Sequence, residues 1–384
     1  MVMRTGRLSR VGKEQTALAA GPRSDDHKDM IRRFALPAAL ALAALVTFGT
    51  AAAAAGGATI GGSWTQIAPL PAAAAILTVT GGADGRVYAF GFCQGTCHQL
   101  GGDVGYGRSV TYVYSPGAGK WHKGRPAPDI CSDAEASAPT ADGTIRLGGC
   151  WTDITTDAGF RVADYDPAAK TWSLEPGHGP YVDPISAAAA ANGDTYWYGQ
   201  TLRHQDQAVF ISGDRIVTET SAGSFHSGAR QPKHGPEDGI GIGTDGAVYV
   251  AGGSQECHPE FGACDMPPVE AWVPQLNQWF KPTVLPTSRI RVAVTNDSRG
   301  RIFVIGGMAA DSSRLFAKVE VFRPGKGWAT APRLPSARFA ALATSTSDGR
   351  VWVIGGYDQF GTPLQDGFVF TPGADRNRWS PAAP

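Results

Sequence analysis

Residues 348–356 read Asp-Gly-Arg-Val-Trp-Val-Ile-Gly-Gly, and residues 299–307, about fifty positions earlier, read Arg-Gly-Arg-Ile-Phe-Val-Ile-Gly-Gly. A turn dipeptide, an apolar run too short for a helix and a glycine pair describe a β-strand that leaves a hairpin and ends at a loop. The same order recurs at Asp84-Gly-Arg-Val87, Asp142-Gly-Thr-Ile145, Asn192-Gly-Asp-Thr195 and Asp245-Gly-Ala-Val248, which makes six copies. Their strands end at Phe90-Gly91, Gly148-Gly149, Tyr198-Gly199, Gly252-Gly253, Gly306-Gly307 and Gly355-Gly356.

Working outward, a third strand carries an aromatic residue two before proline. The copies are Tyr114-Ser-Pro116, Tyr165-Asp-Pro167, Phe210-Ile-Ser212, Trp272-Val-Pro274, Phe322-Arg-Pro324 and Phe370-Thr-Pro372. A fourth strand carries Trp121, Trp172, Trp279, Trp328 or Trp379; the third copy has no tryptophan there and has Ser212 in place of proline. Asp-Gly suits a two-residue hairpin in which both central residues take positive φ. The glycine pairs let backbones approach closely. The tryptophans supply the large apolar face that packs one unit on the next, and no unit buries its faces alone.

The chain has 384 residues, with Lys plus Arg at 34 and Asp plus Glu at 34. A balanced charge excludes the basic footprint of a nucleic-acid binder and a polyanionic tail. The 50 glycines and 27 prolines disfavour long helices, while 42% hydrophobic residues exclude disorder.

The unit, repeated six times, resembles the kelch repeat over residues 64–384. The resemblance implies an all-β fold: a β-propeller of six four-stranded kelch-type blades over residues 57–384. A seventh blade would need a copy that the sequence does not show. An extra segment, Ser63-Trp64-Thr65, precedes the first copy, so either the Trp64 or the Trp379 segment completes the closing blade.

Residues 1–56 precede the repeats as an N-terminal extension plus leader. Met30-Ile-Arg32-Arg33, the apolar run 35–48 and the alanines from Ala51 follow the basic, apolar, small-residue order of a secretory signal peptide. Ala51-x-Ala53 and Ala53-x-Ala55 are cleavage candidates, and Met30 is a second possible start. The expectation is a secreted, extracellular chain, similar to exported bacterial kelch-repeat proteins. The alternative is a membrane-anchored form with an external propeller, if residues 35–55 are retained.

All six cysteines lie after the leader. An even count in an exported chain predicts disulfides, with Cys93–Cys97, Cys131–Cys150 and Cys257–Cys264 as local pairs among 15 possible connectivities; Cys131 is expected to start the first strand of the second copy and Cys150 to end its second. Cys93-x-x-x-Cys97-His98 is one residue too long for haem attachment, and no pair has finger-like zinc spacing.

In such a ring the second-to-third loops and the connections between blades share one face, where function sits on a rigid scaffold. The longest of these loops, residues 92–109 and 254–268, fall in opposite blades. His98, His204 and His258 fall in second-to-third loops, and His178, His226 and His234 in connections. A metal or acid–base site is one reading of them; the other is that loops collect polar residues. Arg289, Arg291 and Arg338 lead into first strands. They are positioned either to hold an anionic ligand or to tie neighbouring blades through carbonyls. Trp151 and Tyr357 follow glycine pairs, where an aromatic ring stacks on a sugar or packs the rim.

No catalytic constellation stands out. The resemblance therefore implies a non-catalytic recognition scaffold for a protein or carbohydrate ligand, with no cofactor required, no metal site assigned and no nucleic acid. The alternative is a carbohydrate-active exported enzyme, similar to galactose oxidase or to the sialic-acid epimerases. Under that reading copper or zinc stays open.

Overall fold

The computed structural model describes residues 58–71, 74–93, 108–131, 134–150, 160–176, 182–205, 208–231, 238–252 and 268–373. The leader, Trp379 and the Cys93–Cys97 and Cys257–Cys264 pairings lie outside the described residues.

Two short strands come first, β1 (Ala58–Thr59) and β2 (Gly62–Ile67). Blade 1 is β3 (Ala74–Gly81), β4 (Val87–Cys93), β5 (Ser109–Ser115) and β6 (Lys120–Lys123). Blade 2 is β7 (Ala136–Pro139), β8 (Ile145–Cys150), β9 (Arg161–Asp166) and β10 (Thr171–Leu174). Blade 3 is β11 (Val182–Ala189), β12 (Thr195–Gln205), β13 (Ala208–Glu219) and β14 (Phe225–Arg230). Blade 4 is β15 (Asp238–Ile242), β16 (Val248–Gly252), β17 (Pro268–Val273) and β18 (Gln278–Val284). Blade 5 is β19 (Ala293–Asn296), β20 (Ile302–Ile305), β21 (Val319–Arg323) and β22 (Gly327–Ala331). Blade 6 is β23 (Leu342–Ser345), β24 (Val351–Ile354) and β25 (Gly367–Pro372), completed by β2.

The innermost strands β3, β7, β11, β15, β19 and β23 neighbour one another around a closed ring. The fold is thus the expected six-bladed propeller. Its closing strand is the Trp64 segment: β2 runs antiparallel to β25, with Trp64 opposite Phe370. β1 then adds a fifth, parallel strand to the outer edge of blade 5.

The core is six seams rather than one centre. Successive residues of a strand point to opposite sheet faces, and here each face meets a different blade. Val351 and Val353 of β24 pack toward blade 5, while Trp352 and Ile354 pack toward blade 1. That is why second strands such as β20 (Ile302–Ile305) and β24 (Val351–Ile354) are apolar at every position.

The outer tryptophans also bond across the seams. Indole N–H groups donate from Trp121 to Ala68 O (2.9 Å), from Trp172 to Arg125 O (3.2 Å) and from Trp279 to Ala229 O (2.7 Å). Trp328 donates to Thr283 Oγ1 (3.0 Å) and Trp64 to Pro332 O (2.7 Å). Each acceptor belongs to the preceding blade or its exit.

Three local expectations need correction. The hairpins are not two-residue turns with positive φ at both centres. Gly85 N–H donates to Gly82 O across residues 82–85, and only the glycine has positive φ (76°). This is a three-residue loop, a type I turn followed by a left-handed glycine. The Asp84 carboxylate accepts the Arg86 N–H at 3.0 Å, a bond for which a turn Asp or Asn is suited.

Phe210-Ile-Ser212 is not the third-strand position of the third copy. Phe210 pairs with Arg203 on a prolonged β12–β13 hairpin, so the position equivalent to the third-strand aromatic is Glu219, opposite Thr195. Phe225 pairs with Glu219 and takes the place of the missing tryptophan. Cys131, expected to start β7, lies instead in a 3-10 turn (Asp129–Cys131) before it. The Cys131–Cys150 disulfide forms, closing a separation of 19 residues, which is worth about 3 kcal/mol in the chain-entropy picture.

The seam between blades 2 and 3 is consequently unlike the others. Phe225 has no indole N–H to donate. The fully buried Glu219 accepts the Trp197 indole N–H at 2.9 Å and lies 3.4 Å from Arg146. Asp164 shares that arginine at 3.5 Å. Gly148 permits the arrangement, since a Cβ there would stand 2.4 Å from the Trp197 ring. Burial, a hydrogen bond with Glu175 and nearby carboxylates lift Asp164 to about 7 against the pull of Arg146. Burial likewise raises Glu219.

Two predictions follow from the seams. Trp64→Phe keeps the ring but loses the bond to Pro332, and should cost about 1 kcal/mol in urea unfolding. For Asp164 the folded value stands above the unfolded value of about 3.9. Its stabilising contribution is therefore full in acid and is lost as pH rises through about 7. Unfolding midpoints measured between about pH 5 and 8 should fall more steeply in the wild type than in Asp164→Asn.

Candidate functional site

The inner strands enclose a channel of about 560 Å³. One of its ends opens on the face that carries the blade connections and second-to-third loops. Arg291 and Glu135, which precede β19 and β7, line the channel at that end.

On blades 5 and 6 this face is built by paired backbone. Gly307 N–H donates to Arg338 O at 2.8 Å, joining the glycine pair of blade 5 to the chain entering blade 6. Its φ of 93° and a would-be Cβ only 2.7 Å from Ile290 O reserve the position for glycine. Tyr357 N–H donates to Phe339 O at 2.9 Å, and Phe339 N–H returns to Tyr357 O at 3.2 Å. The Asp358 carboxylate then accepts the N–H groups of Phe360 (2.8 Å) and Thr362 (2.9 Å), which fixes the turn closed by Gly361.

These bonds hold an aromatic ledge. Tyr357 stacks on Phe339 with ring centroids 5.4 Å apart and planes 26° apart. The Arg291 guanidinium lies 5.8 Å from the Phe339 centroid on a backbone with φ 53°. Arg314 similarly covers Phe316 at 4.7 Å. Tyr357 is 40% exposed and Phe360, at the turn tip, 82%. Such a ledge offers flat apolar faces to a sugar ring or an apolar side chain, with arginines for carbonyl or anionic groups.

Arg289 and Arg338 lie elsewhere, fully buried. Arg289 donates to Gly306 O (2.7 Å), Val304 O (2.9 Å) and Thr287 O (3.1 Å), and pairs with the buried Glu320 carboxylate. Arg338 donates to Gly355 O (2.8 Å) and to Asp366 Oδ2 (3.0 Å), and lies over the Phe368 ring. These bonds tie strands within the arginine's own blade, rather than one blade to the next. Burial pulls the Arg289 guanidinium below its ordinary value, opposed by Glu320. Burial alone would raise Glu320, but Arg289, Lys318 and Thr287 together hold it below the usual carboxylate range.

Of the six candidate histidines, His204 and His226 lie among the described residues. His204 is on β12, paired with Val209, rather than in a loop. His226 is on β14 opposite Thr218, exposed, rather than in a connection. His98, His178, His234, His258 and Trp151 lie outside the described residues. Among the described residues no three His, Cys, Asp or Glu side chains come together to hold a metal ion. Sequence reasoning found Tyr357 and missed Phe339 and Phe360. The available signals were the position directly after Arg338 and the Asp358–Gly361 turn two residues past the glycine pair.

No family model matches the chain. A search of curated proteins finds similarity to Kelch-like protein terF of Aspergillus terreus, 23% identical over 282 residues. The match takes in 69% of this chain and 56% of that protein, so the chain spans little more than half of its relative's length.

The two classes of arginine should separate by unfolding. Arg289→Met breaks a buried pair and should cost about 3–5 kcal/mol, whereas Arg291→Met should stay within about 1 kcal/mol of wild type.

Proposed function

We propose that this kelch-repeat β-propeller is an exported, non-catalytic recognition scaffold that holds a glycan or protein partner on the face around its channel mouth. The observation that carries the reading is the exposed pair Tyr357 and Phe360 on a ledge held by backbone bonds at Phe339, Tyr357, Asp358, Phe360 and Gly361. A preorganised aromatic surface gains contact area at little cost in lost conformational freedom. Blades, seams and buried arginines form a rigid support, and the ledge contains no acid–base pair. The likeness to a kelch-like protein is in keeping with a binding role.

Export is supported by the order of residues 30–56 and by the Cys131–Cys150 bond, which persists in an oxidising compartment. Expression of the full chain, followed by fractionation and N-terminal sequencing, tests it. A new N-terminus after Ala53 or Ala55 in the exported fraction is expected. An uncleaved chain confined to the cytosol contradicts it.

The ligand role is tested by screening the purified chain against a glycan array and a panel of extracellular proteins. Phe360→Ala and Tyr357→Ala should each weaken a captured ligand by about tenfold or more, with unfolding midpoints unchanged. A ligand held equally well by both variants would move the binding surface off the ledge.

A further inference from the structure

We infer that the channel itself is a second site, for a neutral polyhydroxylated small molecule such as a free sugar or cyclitol. A volume of about 560 Å³ falls within the range of about 300–1,000 Å³ that small-molecule sites occupy. It has room for on the order of twenty waters.

The chemistry of the wall selects the ligand. Each inner strand is paired on one side only, so its other edge turns toward the channel with alternating N–H and C=O groups. Side chains from neighbouring blades take up some of these groups. Thr344 Oγ1 accepts Gly81 N–H at 2.9 Å, and Ser186 Oγ accepts Ile240 N–H at 3.3 Å. Thr78 and Ser137 share one bond at 2.9 Å. A hydroxyl that has accepted a bond still has its own hydrogen to donate. The wall therefore keeps donors as well as acceptors at mid-channel.

Among the described lining residues charge is nearly absent. Arg291 and Glu135 are the charged residues among the described lining; they carry opposite signs and belong to one end. An ion moved past them would leave water for a neutral wall, at a desolvation cost that no opposite charge offsets. An apolar molecule would strand the wall's polar groups without partners. A polyol both donates and accepts at each hydroxyl and matches the wall on both counts. Small residues, among them Ala187, Ala189 and Ala343, keep the bore open. The site shares Arg291 with the ledge but differs from it in its other residues and in chemistry, and the variants below separate the two readings.

The test uses the intact protein with glucose, myo-inositol and trehalose as neutral probes and glucuronate as the charged one. Saturation-transfer NMR and calorimetry give the affinities. At least one neutral probe should bind better than glucuronate. Ala189→Phe, which fills the bore from a partly exposed position, should weaken it by about tenfold, while Phe360→Ala should leave it unchanged. Should Ala189→Phe fail to fold, Ser186→Ala serves as the channel variant. Failure of every neutral probe to bind would mean the channel holds water alone and would overturn the proposal. Preference for glucuronate would overturn it too. Binding lost in Phe360→Ala but kept in the channel variant would also overturn it, placing the sugar on the ledge and supporting the face reading instead.

Discussion

Each blade buries its two faces only against its neighbours, so the whole molecule depends on a contact that no local stretch of chain provides: β2 against β25. Without it blade 6 would end on an open edge and two sheet faces would lose their cover. The contact is reinforced on three levels. Backbone pairing runs from Gly62 opposite Pro372 to Ile67 opposite Gly367. Trp64 packs on Phe370 at 5.2 Å and its indole bonds to Pro332. Ala58 and Ile60 join the core between blades 5 and 6. The arm therefore spans a seam and does more than complete a sheet.

Five seams share one solution, an outer tryptophan that reaches back to the preceding blade. The seam between blades 2 and 3 replaces it with buried carboxylates around Arg146. Buried ion pairs are costly to assemble, and the desolvation they require rivals the attraction they gain. The compensation is apolar: Trp197 lies in the space that Gly148 leaves open, and Phe160 meets Trp197 and Phe225 edge-on, each at 5.7 Å. One joint of the ring is therefore closed by buried carboxylates and an arginine where the other five use an indole.

The architecture was legible because its cause is local and repeated. A run such as Val351-Trp-Val-Ile354 is apolar on both faces only if both faces are covered, and six such runs at one period leave few folds. Ring closure was not legible. Trp64 and Trp379 stand in similar surroundings, and the choice between them is made by pairing with a strand some three hundred residues away. The third copy failed for a different reason. Its β12–β13 hairpin runs on past the blade, so a fixed spacing landed on Phe210 and passed over Glu219 and Phe225. At the face, Tyr357 was visible as an aromatic after a glycine pair. Phe339 was not, because its role comes from a backbone pairing that brings it to Tyr357.

The arm also sets a schedule. β1 and β2 leave the ribosome before any blade, yet their partners β22 and β25 come almost last, and the Trp64–Pro332 bond joins residues 268 positions apart. Until then β1 and β2 lack their paired strands, although Ile67, Ala68 and Leu70 already have native neighbours in blade 1, and the Trp64 ring stays available to other chains. Non-local closure of this kind slows folding and lengthens the time spent exposed to aggregation. A chain threaded N-terminus first through a membrane would meet the same delay on the far side. For this ring, the oldest strand is the last one placed.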